Sequence, residues 1–374
     1  MKTKLLFVKN LIKNNTVAFI AFLAALVTCF FIPPDKEYIN YFDFRTLTCL
    51  FSVLAVVMAL RNVRFFYTIA KKIVRKFKNA KMAVLALVYV TFLGSMLIAN
   101  DMALITFLPL GYLVLESTGK RKYMAFTFIM QNIAANLGGM LTPFGNPQNL
   151  YLYSKFEIEE WEFLSIMFPP FILAIALITI CCLVFVKAEP LDIDDTYNDT
   201  HPIRIAIYLL LFAFSIVIVF RFIPYVIGLI VIIPALLILD RKALKSVDYG
   251  LLLTFAFFFI FSGNLARIDA VREFFSALLE KDALIVSLLS CQFISNVPSA
   301  ILLSQFTDNY RALLYGVNIG GTGTLIASLA SLITFRQYIS VEPKKALSYV
   351  LKFSLFNFAL LFILGAFCYL LLLL

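Results

Sequence analysis

The chain has 374 residues, of which 62% are hydrophobic and 14% charged, and its formal net charge is +10. Soluble domains are about half apolar and a quarter charged, so this composition excludes an ordinary soluble protein and indicates a membrane protein. The 32 Lys and Arg lie mostly between apolar runs, which argues against a nucleic-acid partner and for the lipid bilayer. Because the apolar runs do not alternate with polar residues, they predict helices and not the strands of a membrane barrel.

The apolar runs predict an all-α integral membrane protein with about nine transmembrane spans, since one span needs about 20 residues. In chain order the runs are 16–32, 44–60, 82–115, 123–153, 163–186, 203–220, 222–239, 249–266, 283–306, 312–335 and 346–374. No A-x-A-like cleavage site follows run 16–32, so it is predicted to be the first span and not a signal peptide.

The basic residues are unevenly distributed between the connecting segments. Most Lys and Arg fall in segments 1–15, 61–81, 118–123, 187–204, 240–247 and 336–345, whereas loop 154–162 is acidic. Because basic loops stay on the cytoplasmic side, this asymmetry predicts a cytoplasmic N-terminus and an external 154–162 loop. The expected location is the cytoplasmic (inner) membrane.

Two runs are interrupted by a polar turn and predict re-entrant helical hairpins. Hairpin 82–117 turns at Asn100-Asp101, between two basic flanks. Hairpin 283–306 turns at Ser295-Asn296, and each of its arms is only about 20 Å long as a helix, short of the ~30 Å hydrocarbon core. A turn inside the membrane is tolerated only where protein or a water-filled cavity surrounds it.

A segment rich in charged residues precedes each hairpin. Segment 61–81 has apolar residues at roughly helical spacing with basic residues between them, which predicts an interfacial helix, with a plain cytoplasmic loop as the alternative. Segment 267–282 takes the corresponding place on the opposite side. The six cysteines show no C-x-x-C spacing and are expected to be buried thiols, and His201 is expected to lie in a solvated linker.

A seven-residue pattern, N-[LI]-G-G-x-x-T, occurs once after each hairpin turn, at 136–142 and at 318–324. The first copy continues through Pro143 and Pro147, so its helix must break, and the second copy, which lacks proline, is expected to break more gently. The duplication and the opposite charge bias predict two inverted repeats, 1–190 with broken helix 123–153, and 191–374 with broken helix 312–335. Inverted repeats with broken helices are typical of secondary transporters whose site lies near the midplane.

A broken helix offers free amides and free carbonyls, which can hold an anion and a sodium ion respectively without a buried lysine. No cofactor is expected apart from Na⁺ or H⁺ as a coupling ion. The predicted substrate ligands are Asn100, Asp101, Asn296, Gly139, Thr142, Gly321 and Thr324. The predicted cation ligands are Asn100, Asp101, Gly138, Ser295, Asn296 and Gly320.

Asp101 is the only acidic residue in the middle of an apolar run, and an ionisable group inside the membrane indicates function by default. The alternative is that Asp101 only caps the second arm of its hairpin, and the same alternative applies to Ser295 and Asn296. For Asn132, Asn146, Asn149 and Asn264, hydrogen bonding between helices is as good an explanation as ligand binding.

The chain resembles the ion transporter superfamily of divalent anion/sodium symporters, citrate transporters and arsenite permeases. The resemblance rests on Ala99-Asn100-Asp101, on Asn136-Leu137-Gly138-Gly139 with the Thr142-to-Pro147 segment, and on Ser295-Asn296-Val297-Pro298 and Asn318-Ile319-Gly320-Gly321. It implies a homodimer that moves a small anion by an elevator motion.

The hairpin turns of the dicarboxylate symporters carry Ser-Asn-Thr, from which Ala99, Asp101 and Val297 depart. The Asn-Asp pair is more similar to the arsenite permeases. The alternatives are therefore an arsenite/antimonite permease, a sodium/proton antiporter or, less favoured, a channel. An intramembrane enzyme would need a catalytic dyad, and the single histidine lies in a loop, so an enzyme is disfavoured.

Overall fold

The computed structural model describes residues 16–191 and 202–374, so the predicted cytoplasmic N-terminus and His201 lie outside the described residues. Within these two ranges the chain forms seventeen α-helices, a few short 3₁₀ turns and no strand. One isolated antiparallel bridge joins Asn79 to Pro190.

The first eight helices extend from Thr16 to Phe185. They are α1 Thr16–Phe31, α2 Phe44–Asn62, α3 Phe65–Val74, α4 Ala80–Ile98, α5 Asn100–Ser117, α6 Met124–Gly138, α7 Pro147–Lys155 and α8 Glu160–Phe185. Two of them begin at polar caps that satisfy free amides: Asp43 accepts from the Thr46 amide before α2, and Asn79 from the Met82 amide before α4.

The remaining nine helices extend from Pro202 to Leu373. They are α9 Pro202–Val219, α10 Tyr225–Leu239, α11 Arg241–Lys245, α12 Tyr249–Ala266, α13 Asp269–Ile294, α14 Asn296–Leu303, α15 Tyr310–Ile319, α16 Leu329–Val341 and α17 Ala346–Leu373. Helix α13 is interrupted by extended backbone at Asp282, which separates the predicted segment 267–282 from the hairpin arm.

Six of the described helices are long and apolar enough to cross a membrane, and α1 and α10 are shorter apolar helices. The predicted all-α membrane fold is therefore confirmed, whereas the number of spans and the repeat boundary at residue 190 stay predictions. A helix also forms inside 61–81, as α3, and its place at the membrane surface stays a prediction.

Each hairpin turns through a single residue with the same unusual backbone conformation. Ala99 joins α4 to α5 with φ 62° and ψ 152°, and Ser295 joins α13 to α14 with φ 75° and ψ 160°. A side chain is disfavoured in this region, at a cost of about 1–3 kcal/mol, so the surrounding packing must hold both turns in place.

Both broken helices unwind at the duplicated pattern. Residues 139–146 separate α6 from α7 and include one 3₁₀ turn, whereas residues 320–328 separate α15 from α16 without any helical turn. The expectation of a gentler second break is therefore wrong. Gly323 has φ +118°, and the Gln292 amide bonds the unwound backbone, so the second break needs no proline.

The hairpins and broken helices pack together in a crossed arrangement. Arms α4 and α5 of the first hairpin pack on α6, and α5 also packs on α16, which belongs to the second broken helix. Arms α13 and α14 of the second hairpin pack on α15, and α14 also packs on α7, which belongs to the first. Helices α1 and α12 pack on each other, and α9 and α10 pack on α2, outside this group.

Candidate substrate site between the two hairpin turns

Six buried polar side chains from all four of these elements meet where the hairpins and broken helices pack together. We call them the polar cluster: Asn100, Asn136, Asn146, Asn296, Asn318 and Ser328, each at most 4% exposed. None of the six carries a charge. The cluster therefore presents only dipoles to whatever occupies it, in an interior where hydrogen bonds are stronger than in water.

The asparagines of the two N-[LI]-G-G patterns connect the two halves of the cluster. Asn136 Oδ1 accepts from Asn100 Nδ2 at 3.1 Å and from Ser328 Oγ at 2.8 Å. Asn318 Oδ1 accepts from Asn146 Nδ2 at 3.3 Å. Asn146 and Ser328 each lie seven residues after the second glycine of their own copy, so each copy donates to the asparagine of the other.

Gly321 lies against the cluster. A Cβ atom on Gly321 would lie 3.1 Å from Asn296 Nδ2, 3.3 Å from Asn318 O and 3.7 Å from Asn136 Oδ1. The predicted ligands Asn100, Asn296 and Gly321 are thus brought together by the fold. Gly139 is at the edge of the cluster, where its Cβ would meet Asn146 Oδ1.

Several buried polar atoms at this place have no hydrogen-bond partner among the described residues: Asn136 Nδ2, Asn146 Oδ1 and, beside them, Gln148 Oε1. An unsatisfied buried polar atom costs about 1–3 kcal/mol, and such atoms call for an unseen ligand, ion or water as explanation. Donors and acceptors are both left over, so the cluster can bind a molecule that offers both.

Four helices begin at members of the cluster. Asn100 and Asn296 are the first residues of α5 and α14, and Asn146 and Ser328 are the N-caps of α7 and α16. A helix N-terminus has the effect of about half a positive charge. Four such termini around one enclosed place create an environment that favours an anion although no cationic side chain is present.

The unwound backbone beside the cluster is held by amide side chains. Asn149 Nδ2 donates to the carbonyls of Gly139, Met140 and Thr142 in the first break. In the second break Gln292 Nε2 donates to the carbonyls of Gly320 and Thr322. These amides replace helical hydrogen bonds, which allows irregular backbone to exist at membrane depth.

The motif threonines attach each break to its own hairpin. Thr142 Oγ1 donates to Met96 O at 2.7 Å, and Thr324 Oγ1 donates to Gln292 O at 3.0 Å. Met96 and Gln292 each lie four residues before the asparagine of their hairpin turn, so the two copies make the same contact. Both hydroxyl protons are used inside the protein, although the oxygens can still accept.

The first glycines of the two patterns face hairpin arms and not the cluster. A Cβ on Gly138 would lie 2.2 Å from the Phe92 carbonyl oxygen, and a Cβ on Gly320 would lie 2.9 Å from Cys291 Cβ. Only glycine fits this close approach of helix and arm. Gly138 and Gly320 are predicted cation ligands, and a glycine can bind a cation only through its backbone carbonyl. The Gly320 carbonyl already accepts a hydrogen bond from Gln292.

The second hairpin turn is bonded to the second break. Asn296 N donates to Ala327 O at 3.0 Å, and Ser295 Oγ donates to the same oxygen at 3.3 Å. In both turns the asparagine Oδ1 accepts from the next amide, that of Asp101 or Val297, at 2.9 Å. Asn100 and Asn296 therefore stabilise the helix starts while their Nδ2 groups reach the cluster.

Asp101 is half-buried at the first turn, and its Oδ1 is buried with no hydrogen-bond partner among the described residues. None of the ion pairs found within the described ranges involves Asp101. Its amide donates to Asn100 Oδ1. This geometry does not include a side-chain cap by Asp101, which leaves the carboxylate available for a cation or a proton.

Glu189, which follows α8, pairs with two lysines that precede α6. Glu189 accepts from Lys122 at 2.5 Å and from Lys120 at 3.1 Å, and the Tyr123 hydroxyl also donates to it. These hydrogen bonds lower the pKa of Glu189 to about 2, and the bond from Lys122 has the largest effect. These contacts of Glu189 join the segment after the first hairpin to the segment after α8.

Several residues that the fold makes central are not among the predicted ligands. Asn136 and Asn318 begin the two copies of the N-[LI]-G-G pattern, whereas Ser328, Gln148 and Gln292 lie outside the pattern. The equal offset of seven residues between the second glycine and the next polar helix cap is the sequence signal that indicates Asn146 and Ser328. Nothing local marks Gln292, which reaches the break from a different helix.

An enclosed polar site where hairpin turns and broken helices meet, in a protein with several membrane-spanning helices, defines a multi-pass membrane transporter. The chain belongs to the citrate transporter family, whose model matches residues 5–311. The resemblance to the ion transporter superfamily is thereby confirmed, and the protein is a transporter of the citrate/arsenite permease type.

Three relatives illustrate this membership. An uncharacterized transporter of Methanocaldococcus jannaschii is 34% identical over 87% of this chain and 90% of its own length. The inner membrane protein YbiR of Escherichia coli is 28% identical over 84% of this chain and 85% of its own. The putative transporter arsB of Dictyostelium discoideum is 23% identical over 47% of this chain and 31% of its own.

Proposed function

We propose that the protein is a secondary active transporter that moves a small anion, a carboxylate or an inorganic oxyanion, across the cytoplasmic membrane. The observation that carries the proposal is the polar cluster, where four helix N-termini and unpaired amide atoms meet with no charged side chain among the six. Such a site attracts an anion by dipoles and releases it more readily than a buried lysine or arginine would.

Coupling to Na⁺ or H⁺ is part of the proposal. An ionised Asp101 beside the cluster opposes an anion, so a sodium ion or a proton on Asp101 would have to bind first or together with the substrate. Backbone carbonyls near Ser295 and the two breaks supply additional oxygens of the kind that sodium prefers. The bound cation would then make the site attractive to the substrate.

Alternating access is proposed to occur by an elevator motion. The cluster is closed off on all sides, with exposures of at most 4%, so substrate cannot reach it without a movement of the chain. The crossed packing of hairpins and broken helices would make them one transport unit, and α1, α2, α9, α10 and α12 would form the scaffold. A homodimer joined through the scaffold and an N-terminus in the cytoplasm complete the proposal.

A second candidate is the transport of an uncharged hydroxy acid such as arsenous acid. It is favoured by Asp101, which would not repel a neutral solute, and by the mixture of unpaired donors and acceptors in and beside the cluster. The relative named arsB, a putative transporter, is consistent with this class. In that case the cluster would bind hydroxyl groups, each of which can donate and accept.

Flux into proteoliposomes tests the proposal. The purified protein is reconstituted, and uptake of citrate, succinate, phosphate, sulfate and arsenite is measured with and without an inward sodium or proton gradient. We expect concentrative, saturable uptake of one anion that requires one of the gradients. Uptake that is not saturable and ignores both gradients would indicate a channel, and uptake of arsenite alone would favour the second candidate.

Two asparagine variants connect the flux to the polar cluster. Asn318 Nδ2 donates to Leu314 O at 2.8 Å, and Asn357 Nδ2 in α17 donates to Phe353 O at 2.9 Å, so both are buried asparagines bonded to the preceding helical turn. Asn318→Ala should abolish uptake, whereas Asn357→Ala should retain it. If Asn318→Ala takes up the solute as fast as Asn357→Ala and the wild-type protein do, the site lies elsewhere.

A further inference from the structure

Two buried amide oxygens at the start of α7 have no hydrogen-bond partner among the described residues: Asn146 Oδ1 and Gln148 Oε1. Both side chains are only 1% exposed. Asn146 is the N-cap of α7, and Gln148 is its second residue. An amide turned by 180° exchanges an acceptor for two donors, so what these side chains can bind depends on their orientation.

A chain of hydrogen bonds that starts at Asn149 fixes this orientation. Asn149 Nδ2 donates to three backbone carbonyls, so its Oδ1 is the atom that accepts from Asn318 Nδ2, at 2.6 Å. Asn318 Nδ2 also donates to Leu314 O, so the atom of Asn318 that faces α7 is its Oδ1. Asn146 Nδ2 and Gln148 Nε2 donate to that oxygen, at 3.3 and 3.4 Å. Turning either amide would place two oxygens against each other, so the two unpaired atoms are acceptors.

Unpaired acceptors discriminate between the oxygens of different anions. An oxygen without a proton is itself an acceptor, and it repels Asn146 Oδ1 and Gln148 Oε1 in an interior where water does not screen the repulsion. An O–H group donates to the same atoms and satisfies them. A site built to hydrogen-bond an O–H rejects the analogue that lacks it, because its own polar group is then left buried and unpaired.

The same place favours a negative charge and disfavours a sodium ion. Four helix N-termini meet at the polar cluster, and each has the effect of about half a positive charge. Amide oxygens can bind sodium, but these four positive helix ends oppose a cation. Asn136 Nδ2 is in addition a buried donor without a partner among the described residues, and the Asn136 carbonyl accepts from Asn146 Nδ2. An anion that carries an O–H matches the unpaired donor with its charged oxygen and the unpaired acceptors with its proton.

We propose that Asn146 and Gln148 determine specificity: their unpaired oxygens select an anion that carries at least one O–H group over an anion of the same charge that carries none. The inference rests on the proposed function for the polar cluster as the substrate site, and it narrows the substrate class. Monohydrogen phosphate is selected over sulfate, and a hydroxycarboxylate over the carboxylate without its hydroxyl. Helix dipoles supply the attraction for charge, and the two oxygens supply the requirement for the proton.

Pairs of anions that differ by one O–H test the inference on the wild-type protein. At pH 8 monohydrogen phosphate and sulfate are both tetrahedral dianions, and malate and citrate differ from succinate and tricarballylate by one hydroxyl group. Each is added as a competitor to proteoliposomes that take up the transported solute. Within each pair that competes, we expect the member with the O–H to inhibit at a concentration lower by on the order of tenfold or more. Equal inhibition within the pairs would mean that water satisfies the two oxygens, and it would refute the inference.

Two glutamine variants provide the matched comparison. Gln148→Met removes one acceptor with little change of volume, and it should reduce the preference within a pair about fivefold. Gln131 is also buried with an unpaired Oε1, but its Nε2 donates to Thr91 Oγ1 and Phe107 O between α6 and the arms of the first hairpin. Gln131→Met should therefore keep the wild-type preference. Equal loss in the two variants would refute the role of Gln148, and the comparison of pairs on the wild-type protein needs no variant to fold.

The same measurements separate this inference from the proposed function. If the protein takes up only sulfate, succinate or tricarballylate, the anion proposal stands and the requirement for an O–H is refuted. If it takes up only neutral arsenous acid, the anion proposal fails, whereas the requirement for an O–H stands because each As–OH group donates. If Gln148→Met loses the dependence of uptake on a sodium gradient but keeps the wild-type preference within each pair, the oxygens bind sodium and the inference is refuted.

Discussion

The sharpest test of the site is Gly321→Ala, which adds one methyl group beside the polar cluster. The new Cβ would lie 3.1 Å from Asn296 Nδ2 and 3.3 Å from the Asn318 carbonyl oxygen. These distances are tight, but the nearer atom belongs to a side chain that can yield by a few tenths of an ångström. Overpacking of this kind typically costs about 1–3 kcal/mol, so we expect the variant to fold.

The same methyl group should strongly reduce substrate binding. It occupies the space between Asn296 and Asn136 Oδ1, which lies 3.7 Å from the new Cβ, and displaces the Asn296 amide from its direction. The loss of one hydrogen bond to a charged ligand amounts to about 1.5–3 kcal/mol. Since 1.4 kcal/mol is a factor of ten, we expect affinity to fall roughly 10- to 100-fold.

Thermal unfolding and uptake are measured on the same preparations. Cys49, Cys182, Cys291 and Cys368 are buried, so a thiol-reactive fluorophore reports unfolding and gives Tm. Uptake is measured for the panel solute that the wild-type protein transports. We expect Gly321→Ala to keep a Tm within a few degrees of wild type and to lose most uptake at low substrate concentration.

Two other glycines serve as controls. A Cβ on Gly365 would lie 3.3 Å from Leu288 Cδ1, a similar contact far from the cluster, so Gly365→Ala should retain uptake. A Cβ on Gly138 would lie 2.2 Å from the backbone oxygen of Phe92, which cannot yield alone, so Gly138→Ala should lower Tm markedly. Wild-type affinity in Gly321→Ala would refute the assignment of the substrate site.

Three further variants test coupling, electrostatics and packing. Asp101→Asn should fold, but lose the sodium or pH dependence of uptake and most concentrative uptake, and unchanged coupling in a gradient assay would exclude Asp101 as the coupling group. The pKa of Glu189 is lowered to about 2 by Lys122 and its neighbours, so its stabilisation is present above the ordinary glutamate pKa and is lost as pH falls toward 2. The Tm difference between wild type and Glu189→Gln should therefore shrink from pH 5 to pH 2, and a constant difference would contradict this. Arg221 donates to the Tyr153 carbonyl at 2.6 Å and stacks on the Tyr153 ring. Arg221→Gln should therefore reduce the free energy of unfolding by about 1.5–3 kcal/mol and lower Tm. An unchanged Tm would show that this contact is not stabilising.

Local features of the sequence were sufficient to predict the helices and their interruptions. Apolar runs separated by basic segments predict the helical membrane fold, because backbone groups in lipid must be satisfied within the segment. The turns at Ala99 and Ser295 follow from the polar residues beside them inside apolar runs, and the break after Gly139 follows from two prolines and a second glycine. All of these depend on residues that are neighbours in the chain.

The contacts that make the site were decided by the tertiary structure. Ser328 donates to Asn136 across 192 residues, Asn146 to Asn318 across 172, and Gln292 bonds a loop that starts 28 residues away. A sequence pattern shows which residues are polar, but not which ones face each other after four elements have packed. The similarity of the two breaks, one with prolines and one without, arises because the packed Gln292 and Asn149 amides satisfy unwound backbone wherever they reach it.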